Sequence, residues 1–405
     1  MRTLILREAP LFASFFLTSV GNGGNQIARP LFSASFGVSF FFIALVNITG
    51  PIANLVGAPL TGILADRWGR RPVIMAGLGV RALSSCLEFF AQSYPEFLLY
   101  ELLGSFGLAI WTTGATIVIA DVSGEGNLGR AVALRTSSQR LGLLCGPVLA
   151  GILGVTFGLR SLFLLNAAGK LAGLLIFLVM IRESRPESAA AAAAAGRRSI
   201  IPRRADLAPF WNRPVMAALF AAIAVQLISG GGSFEVLFPL HVQNAAGFST
   251  VEIGQMLTIT GLATFLIALP NGELVDRFGR KASMLPGLAI LALGCYLIAT
   301  ATDYGSVLVA IIVPGIGNGA CLGAAQVLSM DLAPEERRGA FLGVWQFLMS
   351  LGGIGIPLAV GGIAQFASTG GAFLTIGAVL LLAIPVMGIF GPERPKPVTV
   401  EARLP

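Results

Sequence analysis

Twelve long apolar segments fill this chain and leave it little choice of fold. They run at approximately 9–33, 38–65, 72–92, 96–120, 131–156, 160–181, 214–240, 249–275, 282–301, 304–330, 338–366 and 370–390. About 20 apolar residues in a helix span the hydrocarbon of a bilayer. Lipid offers peptide groups no hydrogen-bond partner, so a spanning segment is either a helix or a strand of a closed barrel. Barrel strands alternate apolar and polar residues over about ten positions, whereas these runs are longer and continuous. Only 12% of the residues are charged, against roughly 25% in an average soluble domain, and the deficit extends along the whole length. The expected fold is an all-α polytopic membrane protein with twelve transmembrane helices. Its 51 glycines suit helices that must pack closely without a hydrophobic driving force. The first apolar run follows two arginines without an evident cleavage site, and it reads as a spanning helix rather than a signal peptide.

The chain repeats itself. Gly62-Ile-Leu-Ala-Asp66-Arg67-Trp-Gly69-Arg70-Arg71 returns 210 residues later as Gly272-Glu-Leu-Val-Asp276-Arg277-Phe-Gly279-Arg280-Lys281. Asp121 matches Asp331 at the same offset, and Gly142, Pro147 and Gly151 match Gly352, Pro357 and Gly361. Two pseudo-symmetric six-helix bundles follow, 1–181 and 214–391. Between them lies a basic linker, 182–213, that carries the alanine run Ala189–Ala195, and 392–405 forms a tail. Two parallel halves about an axis along the membrane normal are a known transporter plan.

Charge sets the expected orientation. With both termini cytoplasmic, 22 of the 27 basic residues fall on the cytoplasmic side, and only Arg29 and Arg160 fall outside. This asymmetry accounts for the net charge of +7 and excludes nucleic acid as a partner. Cys86, Cys145, Cys295 and Cys321 stand singly in apolar runs and read as small core residues. His241 is the only histidine. No metal-ligand spacing, cofactor motif or nucleophile–base set is visible, so an enzyme is not expected.

The Gly-x-x-x-Asp-Arg-x-Gly-Arg-Arg turn, with its weaker copy one half later, resembles the signature of the major facilitator superfamily. The resemblance covers the full chain. It implies a gate in which Asp66, and Asp276 by repetition, lies beside a helix N-terminus and holds the cytoplasmic side shut. The macrodipole there contributes about 0.3–1 kcal/mol. Gly62 is expected to let a neighbouring backbone approach, Gly69 to let the chain turn, and Arg67, Arg70, Arg71 and Arg277 to anchor the loops at the lipid surface. Gly142-Leu143-Leu144-Cys145-Gly146-Pro147 resembles the helix 5 signature of the drug–proton antiporter branch. Pro147 frees the carbonyl of Leu143 and bends the helix; Pro357 is its counterpart. One departure stands out. Tyr100-Glu101-Leu102-Leu103-Gly104 lacks the helix 4 arginine common in proton-coupled members.

An ionisable residue inside the membrane costs roughly 2.5–3.5 kcal/mol and marks a candidate site. Arg140 is expected in the cavity, holding an anion or pairing with Glu101. Arg81 and Glu88 share a face of helix 3, and these two and Lys170 of helix 6 read as structural pairs at the periphery. Glu235, beside Gly230-Gly231-Gly232, and Glu101 are the candidate proton carriers; the three glycines favour local unwinding. By resemblance, Asn22, Asn25, Gln26, Arg29, Gln226, Asn318 and Gln346 line the substrate cavity, and Trp111 supplies an apolar wall. The expected function is alternating-access efflux of amphipathic or lipophilic compounds against protons. The alternative is organic-anion transport with Arg29 and Arg140 as counter-charges. Expected partners are a small-molecule substrate, protons and the bilayer, and the chain is expected to act as a monomer in the cell membrane.

Overall fold

The computed structural model describes residues 2–180, 211–228, 234–334 and 338–392. The basic linker, the glycine triplet and most of the tail fall outside these residues. The helices are α1 (Arg2–Ser35), α2 (Phe40–Trp68), α3 (Arg70–Phe90), α4 (Tyr94–Phe157), α5 (Ser161–Met180), α6 (Arg213–Gln226), α7 (Phe234–Ala246), α8 (Thr250–Phe278), α9 (Arg280–Thr300), α10 (Tyr304–Asp331), α11 (Arg338–Phe366) and α12 (Thr369–Phe390). Among the described residues, ten spans are long and apolar enough to cross a membrane. The other two crossings are α1 and the pair α6–α7.

Two features differ from a simple count of apolar runs. First, α4 is continuous over 64 residues and contains two spans, Tyr94–Thr116 and Leu134–Phe157. No proline stands between Pro95 and Pro147 to break it. It nevertheless folds back on itself. Arg135 Nη1 donates to Thr116 Oγ1 at 2.6 Å, although residues 19 apart in a straight helix would be separated by about 28 Å. Second, the seventh crossing is broken. α6 ends in tight i→i+3 bonds, Leu227 N–H to Ala224 O and Ile228 N–H to Val225 O, and the chain resumes with Phe234 N–H on Leu227 O. The three glycines expected to favour unwinding lie outside the described residues.

The repeat is structural as well as sequential. Gly69 and Gly279 both adopt positive φ, 95° and 87°, and their amides cap Ala65 and Val275 respectively. Both positions need a residue without Cβ. Gly77 faces Gly107 across α3 and α4, as Gly287 faces Gly317 across α9 and α10. Arg71 donates to the Leu178 carbonyl at 2.5 Å, and Lys281, 210 residues on, donates to the Gly388 carbonyl at 3.0 Å. Arg280 holds Asp331 at 2.6 Å.

The two halves meet at one end. A methyl group on Gly254 would lie 2.5 Å from the Pro147 carbonyl, and Gly151 and Gly154 press on Val251 and Thr250. In the second seam Gly361 packs on Ala44 and Phe40, and Gly353 on Pro51. All of these contacts lie in the half of the molecule opposite the α2–α3 and α8–α9 turns. Of the four cysteines read as core, Cys295 and Cys321 are buried, Cys86 is half-buried and Cys145 is exposed.

Candidate functional site

A polar stripe on α1 organises the interior. Thr18, Asn22, Gln26 and Arg29 recur at helical spacing and share one face. The glycines between them serve the opposite need. Gly21 lies against Asn166 of α5, and Gly23 against Gly146 and the Leu143 carbonyl that Pro147 leaves free. Backbones therefore approach closely enough for the stripe to reach three other helices. Lys170 Nζ on α5 donates to the Thr18 carbonyl and to Asn22 Oδ1, both at 2.7 Å. Gln26 Nε2 donates to Glu235 Oε1 of α7 at 3.1 Å, across the boundary between the halves. Arg29 Nη2 lies 2.7 Å from Glu101 Oε1 on α4.

Glu101 is the hub of a charge network. Arg81 Nη1 lies 3.3 Å from Glu101 Oε2 and 3.1 Å from Glu88 Oε1. Arg81, Glu88 and Glu101 are 0% exposed. Ser84 donates to Glu88 at 2.9 Å and Ser105 lies 3.4 Å from Glu101. Two guanidiniums face two carboxylates, and pairing of this kind is the condition under which buried charge is tolerated; Glu88 Oε2 alone of the four carboxylate oxygens has no partner among the described residues.

Several sequence expectations change here. Glu101 binds Arg29 and Arg81, not Arg140, because α1 and α3 bring their guanidiniums to it. Arg140 is half-buried and has no hydrogen bond or ion pair among the described residues. Beside Gly104 of α4, where the sequence lacks the helix 4 arginine, the guanidinium that lies against the helix is that of Arg81 from α3. The arginines of the α2–α3 turn do not all serve the lipid surface. Arg67 is exposed, but Arg70 is 6% exposed and Arg71 binds the end of α5. Arg277 is exposed, 3.9 Å from Glu273. A methyl group on Gly62 would meet nothing within 4 Å among the described residues, so no close approach is made to it there in this conformation. The side chains of Asp66 and Asp276 lie outside the described residues.

The other candidates scatter. Trp111 is 2% exposed and packs on Phe15 and Phe177, with ring centroids 4.9 and 5.2 Å away; it is core. Asn25 is buried, with neither amide atom partnered among the described residues. Gln226 ends α6 against Gly353. Asn318 is half-buried and Gln346 exposed. Pro357 lines a small apolar pocket with Phe40, Asn47, Val236 and Val360, on the seam between α2, α7 and α11. Sequence reasoning missed the bonds of Lys170 to α1; the signal was the recurrence of Thr18 and Asn22 on one face.

Two repeated helical bundles enclosing a polar, charge-balanced interior define a membrane carrier. The chain belongs to the Major Facilitator Superfamily, whose family model matches residues 11–259 and 228–404, and it is a transporter of that family. It is 29% identical over 344 residues to a class C tetracycline resistance protein of Escherichia coli, covering 82% of each. It is 24% identical to the multidrug resistance protein MdtG of Enterobacter lignolyticus, covering 93% of this chain and 86% of that one. The crystal structure of the nucleoside transporter NupG superimposes with a TM-score of 0.78 at 17% identity, over 96% of this chain and all of that one.

Proposed function

We propose that this chain exports amphipathic or lipophilic compounds in exchange for protons by rocking two bundles, 1–181 and 214–391, about a central cavity. The observation that carries this reading is the Gln26–Glu235 bond. It places a protonatable carboxylate of one half on an uncharged amide of the other, so gain or loss of a proton alters a contact that must break when that end opens. The resistance functions named for the relatives supply the substrate class. Both termini are placed in the cytoplasm by the positive-inside bias. The contacts near Pro147 and Gly361 then close the outer side. Asp66 and Asp276 latch the inner side in the opposite state, and Glu101 holds the fixed charges of the cavity wall.

The test uses the purified full chain in proteoliposomes, with tetracycline as probe. Vesicles with an acidic interior are expected to accumulate tetracycline above protein-free controls, and a protonophore to abolish the excess. Uptake indifferent to the gradient overturns the reading. Organic-anion transport is favoured by one observation only, that Arg140 has no ion pair among the described residues, since Arg29 is taken by Glu101. On the leading reading Arg140→Ala leaves tetracycline uptake in place. Selective loss of p-aminohippurate uptake in that variant would support the anion reading instead.

A further inference from the structure

Lys170 stands halfway along α5 and is fully buried. Both of its acceptors, the Thr18 carbonyl and Asn22 Oδ1, are uncharged. The charged groups that surround it are Arg81 and Glu88 on α3, Arg29 on α1 and Glu101 on α4. Both carboxylates are already engaged by guanidiniums. Those four charges cancel, so an ammonium at Lys170 is surplus. An arginine cannot release its proton in a protein, whereas a lysine can. A neutral amine has two N–H bonds, and two acceptors are in place for them. An ammonium adds a third N–H and a charge that mid-membrane surroundings penalise.

We propose that Lys170 is a proton-binding site of the transport cycle. Its amine takes one proton from one side of the membrane, becoming an ammonium, and returns that proton to the other. The proposal rests on the proton-coupled reading above and names a site for the coupling proton. Asn22, which holds Lys170, lies one turn from Gln26, which holds Glu235 of the other half. Charge gained or lost at Lys170 is therefore felt within a helical turn of the bond between the halves.

The chain has three lysines, Lys170, Lys281 and Lys396, which makes direct observation practical. The full chain is labelled with ¹⁵N at lysine Nζ and followed by NMR in micelles from acid to mildly alkaline buffer. Lys281→Arg and Lys396→Arg assign the signals without touching Lys170. One resonance, that of Lys170, is expected to move between the ammonium and amine positions while the others stay ammonium. A Lys170 signal that remains ammonium in every buffer overturns the proposal. In proteoliposomes Lys170→Met and Lys170→Arg are expected to lose gradient-driven tetracycline uptake yet retain downhill exchange. If both variants keep gradient-driven uptake, the proposal falls and the coupled-efflux reading stands. If the wild type ignores the gradient, both fall together. Loss of exchange as well is the mark of a structural role, and the NMR titration then decides.

Discussion

Replacing Gly254 with leucine is expected to abolish tetracycline transport while leaving both bundles folded. The first atom of any side chain at this position would stand 2.5 Å from the Pro147 carbonyl oxygen and 3.3 Å from Gly151 Cα. Backbone atoms cannot swing aside as a side-chain tip can, and overpacking of this kind typically costs about 1–3 kcal/mol. The clash falls between the halves, not within either. It therefore excludes one conformation, the one closed at this end, and leaves the interior of each bundle intact. A carrier confined to one side of its cycle does not turn over. Gly355→Leu is the control, since a Cβ there meets nothing within 4 Å among the described residues. The conformational effect is read by labelling. With Cys86, Cys145, Cys295 and Cys321 replaced by alanine, a cysteine at Thr250 sits under Gly154. It should react slowly with an impermeant maleimide in the parent and quickly in the Gly254→Leu variant. Normal transport by Gly254→Leu would show that the α4–α8 seam does not close during the cycle.

Why the crossings and the repeated turns were legible in the sequence, and the charge network was not, follows from the physics of each. Apolar length specifies crossings, because an unspanned segment would leave peptide groups in lipid. The 210-residue offset carried the turn geometry with it, because Gly69 and Gly279 meet the same requirement for positive φ. The carbonyl freed by Pro147 could be read, and it is the one that Gly23 approaches, because proline acts locally on the backbone. The partners of Glu101 could not. Arg29 and Arg81 come from other helices, and which guanidinium reaches a carboxylate depends on how each helix is rotated about its axis. That rotation is decided by the glycine contacts of α1, α3 and α4 acting together. Arg81 and Glu88 were readable because they lie seven apart on one helix. Arg71 was misplaced at the lipid surface for the reason Glu101 was misassigned: a turn arginine is bound or free according to what a distant helix end presents to it, here the Leu178 carbonyl of α5.

The charge network yields the largest expected loss of stability. Glu101→Gln removes the one carboxylate that both Arg29 and Arg81 share. Arg81, fully buried, keeps only Glu88, and Arg29 keeps no carboxylate among the described residues. Breaking a buried ion pair from one side costs about 3–5 kcal/mol, because the orphaned charge stays in a poor solvent for it. The detergent-solubilised variant should therefore unfold at a clearly lower temperature than the parent, whatever happens to transport. Glu88→Gln should be milder. The amide oxygen can still accept from Arg81 and Ser84, and Oε2 has no partner to lose among the described residues. Adding Arg29→Met to Glu101→Gln distinguishes an ionic penalty from a packing one. Removing the stranded guanidinium should recover part of the lost stability if the penalty is electrostatic. Removing a second large side chain from the same core should deepen the loss if it is packing. A Glu101→Gln variant as stable as the parent would mean that Arg29 and Arg81 find water in this interior, and the surplus charge assigned to Lys170 would then have no low-dielectric surroundings to act against.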